Sequence, residues 1–190
     1  MSFAPDVTNA KRVLRARLLA ARRALSADEL ASSRAAIRAQ LLHRLDMAAK
    51  AGTPWLRVFA YEAMATEPAS EALLEDMADR GASVYVPLRR PDNDLDWIRW
   101  PGSTTLGLHA VSTASVLLVP ALAIDVTGMR IGRGGGSYDR VLPRLGPQVP
   151  VVAVLHRGEI LDEVPAEAWD CRVQAAVTPD GWFDVTGPSR

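Results

Sequence analysis

The chain of 190 residues carries 22 basic and 22 acidic side chains, a formal net charge of zero that supplies no global field for nucleic acid or an anionic membrane. Hydrophobic residues at 48% and charged ones at 23% are the proportions of a soluble globular domain. One cysteine, Cys171, excludes a disulfide framework, and no apolar run has the length of a signal segment or a membrane span, so a cytoplasmic protein with Cys171 as a packed thiol is expected.

Residues 11–25 are rich in Ala, Leu and Arg and predict a first helix, with Thr8 or Asn9 as its N-cap. Ser26 with Glu29 three residues later is a capping-box pattern, so a second helix should run from about Ala27 to Leu45. "LRVFAY" (56–61) has the content of a buried strand, and "SEALLEDMADRG" (70–81) reads as an amphipathic helix ending on Gly81. "SVYVPL" (83–88) is the next strand. A turn through "RRPDND" leads to "LDWIRW" (95–100), whose Trp97 and Trp100 are expected in the core. "SVLLVP" (115–120) and "PVVAVL" (150–155) are continuous apolar runs, the pattern of parallel strands covered on both faces. Between them a helix should start near Gly136 and stop by Pro143 or Leu145, and "QAAVTP" (174–179) reads as a last strand. This alternation, without linker or repeat, predicts a single α/β domain over 1–190 with a largely parallel sheet.

"RIGRGGGSYDR" (130–140) follows an apolar strand and the polar turn "DVTGMR". Glycines admit positive φ and let an anion approach backbone N–H groups closely, and a helix start after them would add its own free amides. Arg130 and Arg133 can donate charge-assisted hydrogen bonds to the same phosphates, and Asp139 is placed to hold a Mg²⁺ bridging them. The stretch is not a Walker A loop, and Ser137 stands where the last Gly of G-x-G-x-x-G belongs. On these residues alone it is either a phosphate cradle or a surface bend eased by glycine.

Lys11, Arg12, Arg15, Arg17, Arg22 and Arg23 put six cations on the first helix with no acid among them. At helical pitch Lys11, Arg15 and Arg22 share one stripe, which can grip a polyphosphate or simply face water. No aromatic residue is interleaved with them, and with neutral net charge this argues against nucleic acid.

Two stretches, "NAKRVLRARLLAARRALS" and "LLVPALAIDVTGMRIGRGGGSYDR", in this order and spacing, resemble the 5-formyltetrahydrofolate cyclo-ligase (methenyltetrahydrofolate synthetase) family. The likeness extends to "VFAYEAMATEP" and "ILDEVPAEAWDCRVQAAVTP". The resemblance implies a three-layer α/β/α sandwich, Rossmann-like, and an enzyme that uses ATP and Mg²⁺ to close 5-formyltetrahydrofolate to 5,10-methenyltetrahydrofolate, releasing ADP and phosphate. It implies a nucleotide site at Lys11, Arg12, Val13, Leu14 and Arg15, with Arg22 as a further phosphate contact. The other half of that site would be Arg130, Ile131, Gly132, Arg133, Gly134, Gly135, Gly136, Ser137 and Tyr138. Glu62, Glu67 and the loop residues Arg133, Gly134, Gly135, Gly136 and Ser137 would face the folate. Asp139 and Asp170 would hold magnesium, and Lys11, Arg133 and Tyr138 would be catalytic. A monomer acting on a small-molecule substrate is expected, with neither nucleic acid nor membrane as partner.

The chemistry accounts for such residues. A formamide-like carbonyl is a poor electrophile and its oxygen a poor leaving group; phosphorylating that oxygen remedies both, after which N10 of the folate attacks the carbon. Phosphoryl transfer needs positioning and charge neutralisation more than a protein nucleophile. The separated His43, His109 and His156 suggest no triad. Departures from the family pattern fall on the folate side. Ser137 replaces the first of two tyrosines, Glu62 stands where an apolar residue is common, and 102–114 lacks an aromatic and a Glu-Pro or Gln-Pro pair. A diverged homologue acting on another small substrate, or a non-catalytic folate- or nucleotide-binding protein, stays open as an alternative.

Overall fold

The computed structural model describes residues 6–185. Helix α1 runs Val7–Arg23 and is capped by Asp6, whose carboxylate accepts from the Asn9 amide at 3.2 Å. The expected caps, Thr8 and Asn9, already lie inside the first turn. An ionised acceptor at position 6 suits the positive helix end better, and the Asn9 side chain instead accepts from Arg12. Helix α2, Ala27–Lys50, begins with the capping box in full: Ser26 accepts from the Glu29 amide, and Glu29 accepts from the Ser26 amide. It passes the expected end at Leu45 because good helix formers continue to Lys50, and the chain turns only at Gly52 (φ +77°).

The remaining elements are β1 Arg57–Phe59, α3 Glu71–Asp79, β2 Ser83–Arg89, β3 Leu95–Arg99 and a 3₁₀ turn, Leu108–Thr113. Then come β4 Val116–Pro120, β5 Ala123–Asp125, β6 Arg130–Ile131 and α4 Ser137–Val141, the last continuing as a 3₁₀ turn over Leu142–Arg144. The series ends with β7 Val151–Val154, β8 Ile160–Leu161, β9 Ala175–Thr178 and β10 Gly181–Asp184.

The main sheet has the order β10-β9-β7-β4-β1-β2-β3. Its five inner strands are parallel and its two edges, β10 and β3, antiparallel. Side chains alternate along the inner strands as a doubly covered sheet requires. Val58, Val84, Val116, Leu118, Val152 and Val154 pack towards α2 and α3. Phe59, Tyr85, Leu117, Val119, Val151 and Ala153 pack towards the 3₁₀ turns and α4. Each such Val, Leu or Phe side chain contributes about 1.5–3 kcal/mol of hydrophobic stabilisation. Trp97 lies fully in the second layer, edge-on to Phe59, which stacks on Tyr85, and Trp100 borders the first. Trp97 is therefore a core residue, as its strand setting predicted, while Trp100, one residue beyond β3, is only partly buried.

A second, small sheet of order β6-β5-β8 carries α1. Leu18 of α1 packs with Leu122, Ala123, Met129, Ile131 and Val164, which fixes how the helix lies against the glycine-rich segment. From β1 the chain builds outward through β2 and β3, and later in the opposite direction through β4, β7 and β9. The winding reverses between β1 and β4. Open α/β sheets bind ligands beyond the carboxyl ends of their strands at such a reversal.

Candidate functional site

A cavity of about 1030 Å³ opens at that reversal. Its walls are α1, the loop after β1, the end of β2, residues 120–122, the segment 130–140 and the turn 167–170.

On α1, Lys11 and Arg15 are four residues apart and both line the cavity. Of the expected nucleotide residues 11–15, helical pitch sets only Lys11 and Arg15 along the cavity wall. Arg12 is exposed and bonds Asn9, Val13 points outward at 55% exposure, and Leu14 packs on the small sheet. Arg22 reaches the cavity wall, but Glu159 holds it through two bonds of 2.7 Å and the Ala121 carbonyl through one of 2.6 Å. That guanidinium is a buried structural cation rather than a free phosphate contact.

The glycine-rich loop stands open at the cavity, with Gly134 at φ +103° and Gly136 at φ +65°. Arg15 Nε donates to the Gly132 carbonyl at 2.9 Å. A Cβ on Gly134 would meet the Arg15 guanidinium at 3.6 Å, one on Gly135 would meet Arg89 at 3.9 Å, and one on Gly136 would meet Arg140 at 3.6 Å. Cations from three elements thus surround three consecutive glycines. The sequence did not mark Arg89 and Arg140, which at the end of a strand and on a short helix carry no local sign of function. The following helix, α4, is only five residues long, so it brings less dipole to the loop than the sequence suggested.

Asp139 and Asp170 both line this wall. Asp139 accepts from Arg130 Nη2 at 2.7 Å and from the Cys171 amide at 3.2 Å. Asp170 accepts from Lys11 Nζ and from the Glu167 amide, and Glu167 also accepts from Lys11 at 2.7 Å. Burial opposes the Lys11 charge, but the hydrogen bonds and charges of Asp170 and Glu167 outweigh it and hold its pKa above the ordinary value. Among the described residues no group of three or more His, Cys, Asp or Glu side chains could hold a metal unaided. Two carboxylates on one cavity wall fit Mg²⁺, which is commonly held by one or two carboxylates together with substrate phosphates and water.

Across the cavity, buried Glu67 accepts from Arg133 Nε at 3.2 Å and from the Met64 amide at 2.9 Å. Glu62 lies exposed on the same loop. Tyr61 OH, Tyr138 OH and Arg130 Nε line the cavity, are buried, and have no hydrogen-bond partner among the described residues. Burial, with the Glu67 charge behind it, raises the pKa of both phenols. They remain O–H donors with an unused hydrogen bond. Arg130 Nε is a third such donor.

Residues 7–179 match the profile of the 5-formyltetrahydrofolate cyclo-ligase family. The chain belongs to that family. A 5-formyltetrahydrofolate cyclo-ligase of Mycolicibacterium smegmatis is 37% identical over 141 residues, covering 64% of this chain and 73% of the relative. The mouse protein of that name is 28% identical over 203 aligned positions, covering 93% and 97%. The solved structure of a 5,10-methenyltetrahydrofolate synthetase from Mycoplasma pneumoniae shares the fold, with a TM-score of 0.77 at 22% identity over 89% of this chain and 98% of that one. The Aquifex aeolicus synthetase does so at 0.72 and 20%, over 95% of each.

For a cyclo-ligase family member, the folate-side departures fall in two different places. Ser137 lines the cavity, next to Tyr138. Residues 102–114 do not line it: Leu106 and Gly107 turn back to bond the Trp97 carbonyl and the Asp96 carboxylate, at 2.8 and 2.7 Å. An aromatic the sequence reading overlooked, Trp169, stands at the cavity at 68% exposure. No helix among the described residues is long and apolar enough to cross a membrane.

Proposed function

We propose that this protein is a 5-formyltetrahydrofolate cyclo-ligase that converts 5-formyltetrahydrofolate to 5,10-methenyltetrahydrofolate with ATP and Mg²⁺. Beside family membership, the Arg133–Glu67 bridge carries this reading. It joins the glycine loop, suited to phosphates, to an acidic loop suited to the N–H groups of a pterin, so phosphate and folate would share one space.

Gly132–Gly136, Arg15 and Arg130 would hold the triphosphate, with Lys11 turning to it from its carboxylate partners. Asp139 and Asp170 would hold Mg²⁺, whose chemistry is to neutralise phosphate oxygens. The γ-phosphoryl group would pass to the formyl oxygen with release of ADP. N10 would then bond to the formyl carbon and lose its proton as the carbon–oxygen bond breaks and phosphate departs. Arg133 would stabilise charge on the transferred group, and the protonated Tyr138 hydroxyl would donate to the same oxygens. Glu67 orients the pterin, and Glu62 borders it. The protein would act as a monomer, and the single cysteine suits a reducing cytoplasm.

The test is direct. Purified protein with 5-formyltetrahydrofolate, ATP and Mg²⁺ is expected to generate the near-ultraviolet absorbance of the methenyl product with one ADP per product. ATP consumption without that chromophore would point to another small substrate. Nucleotide binding without turnover on any folate would make the protein a binding module.

A further inference from the structure

The loop that carries Glu67 contains four consecutive backbone carbonyls, Met64 to Glu67, and all four are held by side chains from outside it. Arg34 of α2 donates through Nε to the Glu67 carbonyl at 3.0 Å and through Nη2 to those of Met64 and Ala65 at 3.2 and 2.9 Å. His156, at the exit of β7, reaches the Thr66 carbonyl through Nε2 at 3.1 Å. A carbonyl only accepts, so the proton sits on Nε2, and Nδ1 accepts from the Ser33 hydroxyl at 2.9 Å. His156 is itself anchored, since its amide donates to Glu159, the partner of Arg22, at 2.7 Å. Arg34 and His156 are neighbours through Ser33, so the two clamps form one unit outside the cavity.

We infer that Arg34 and His156 are positioning residues that hold the 64–67 loop so that Glu67 meets the substrate. The loop has no strand or helix of its own to fix it. Its inner surface does two things at once: the Glu67 carboxylate closes back on the Met64 amide and reaches out to Arg133. A carboxylate set by so short a loop is only as well placed as the four carbonyls behind it. The clamp reaches α1 only at second hand, through Glu159 and Arg22, and the glycine loop only through Glu67 and Arg133, so its first effect falls on the substrate side. This inference rests on the cyclo-ligase reading for the identity of the substrate.

The experiment compares Arg34→Met, Arg34→Lys, His156→Leu and His156→Gln with the full-length wild type. Amide hydrogen exchange over 62–70 reports the clamp whether or not the protein turns over any folate. Steady-state kinetics with 5-formyltetrahydrofolate and ATP varied in turn reports its role. Arg34→Met and His156→Leu are expected to speed exchange in 62–70 while leaving 130–140 unchanged. They should raise the KM for the folate about tenfold with the ATP KM moving less than about twofold. Gln can donate to Thr66 and accept from Ser33, so His156→Gln should recover most of the loss, and Arg34→Lys part of it. Unchanged exchange in the folded Arg34→Met protein, or folate and ATP KM values rising together, would overturn the inference. A wild type without turnover defeats the cyclo-ligase reading but leaves the exchange result to decide the clamp.

Discussion

At the scale of single residues, helical pitch decides which of the N-terminal cations can act. Lys11 and Arg15 face the cavity, whereas Arg12 faces water. Lys11→Met is therefore expected to raise the KM for ATP by about tenfold or more, the cost of a lost hydrogen bond between charged groups. Arg12→Met should leave it within about twofold; equal effects from both substitutions would mean that α1 acts only as a diffuse positive charge. The loop glycines separate in the same way. Gly136→Ala is expected to destabilise by about 1 kcal/mol because φ +65° disfavours a Cβ, while Gly135→Ala, at an ordinary φ with neighbours no closer than 3.6 Å, should leave the melting temperature unchanged. Thermal unfolding checks both. Lys11, Arg15, Arg133 and Asp139 were marked by their local patterns and Glu67 by the family resemblance alone, and all five line the cavity. The sequence did not reveal Arg89, Arg140, Tyr61 or Trp169. Their place at the cavity depends on how separate elements cross, and no short window of residues records that.

At the scale of elements, what could be read was what had a long enough period. The helices α1, α2 and α3 and the five parallel strands announce themselves through spacing and apolar runs. β5, β6 and β8 span two or three residues each and form only because the turns around Asp125 and Gly158 bring them together. The antiparallel edge β3 shows how such pieces are tied down. Arg144, in the 3₁₀ turn after α4, donates to both oxygens of Asp94, at 2.8 and 2.6 Å. That pairing holds the Asp94 carboxyl at a pKa of about 2. A depressed carboxylate contributes stability above its unfolded pKa of about 3.9, and that contribution is lost as pH falls towards about 2. Arg144→Met is accordingly expected to cost about 2 kcal/mol at neutral pH, as removal of a charged hydrogen bond does. The gap from wild type should close between about pH 4 and pH 2 in acid unfolding curves. A gap independent of pH would assign the loss to packing of the turn instead.

At the scale of the whole molecule, the reversal of winding between β1 and β4 brings together residues as distant in sequence as Lys11 and Asp170, and the outcome is a pair of carboxylates already partnered by cations. Asp170 is engaged by Lys11 and Asp139 by Arg130, both cations largely buried. A magnesium ion arriving alone must displace an internal cation from each. A triphosphate arriving with it offers Lys11, Arg130 and Arg15 new anionic partners and frees the carboxylates for the metal. Nucleotide and metal should therefore bind with positive coupling, and the coupling must be reciprocal. Mg²⁺ alone at millimolar concentration is expected to move the melting temperature by less than about 1 °C, because weak binding adds little to the native state. Mg²⁺ with a non-hydrolysable ATP analogue at a hundred times its Kd should add about 2.7 kcal/mol, on the order of 5–10 °C for a chain of this size. In Asp170→Asn the analogue should still stabilise, through the loop and Arg15, but adding Mg²⁺ should no longer increase the shift. If Mg²⁺ alone gave the full shift, the two aspartates would form a resident metal site independent of nucleotide, and the exchange of partners at Lys11 would have no part in binding.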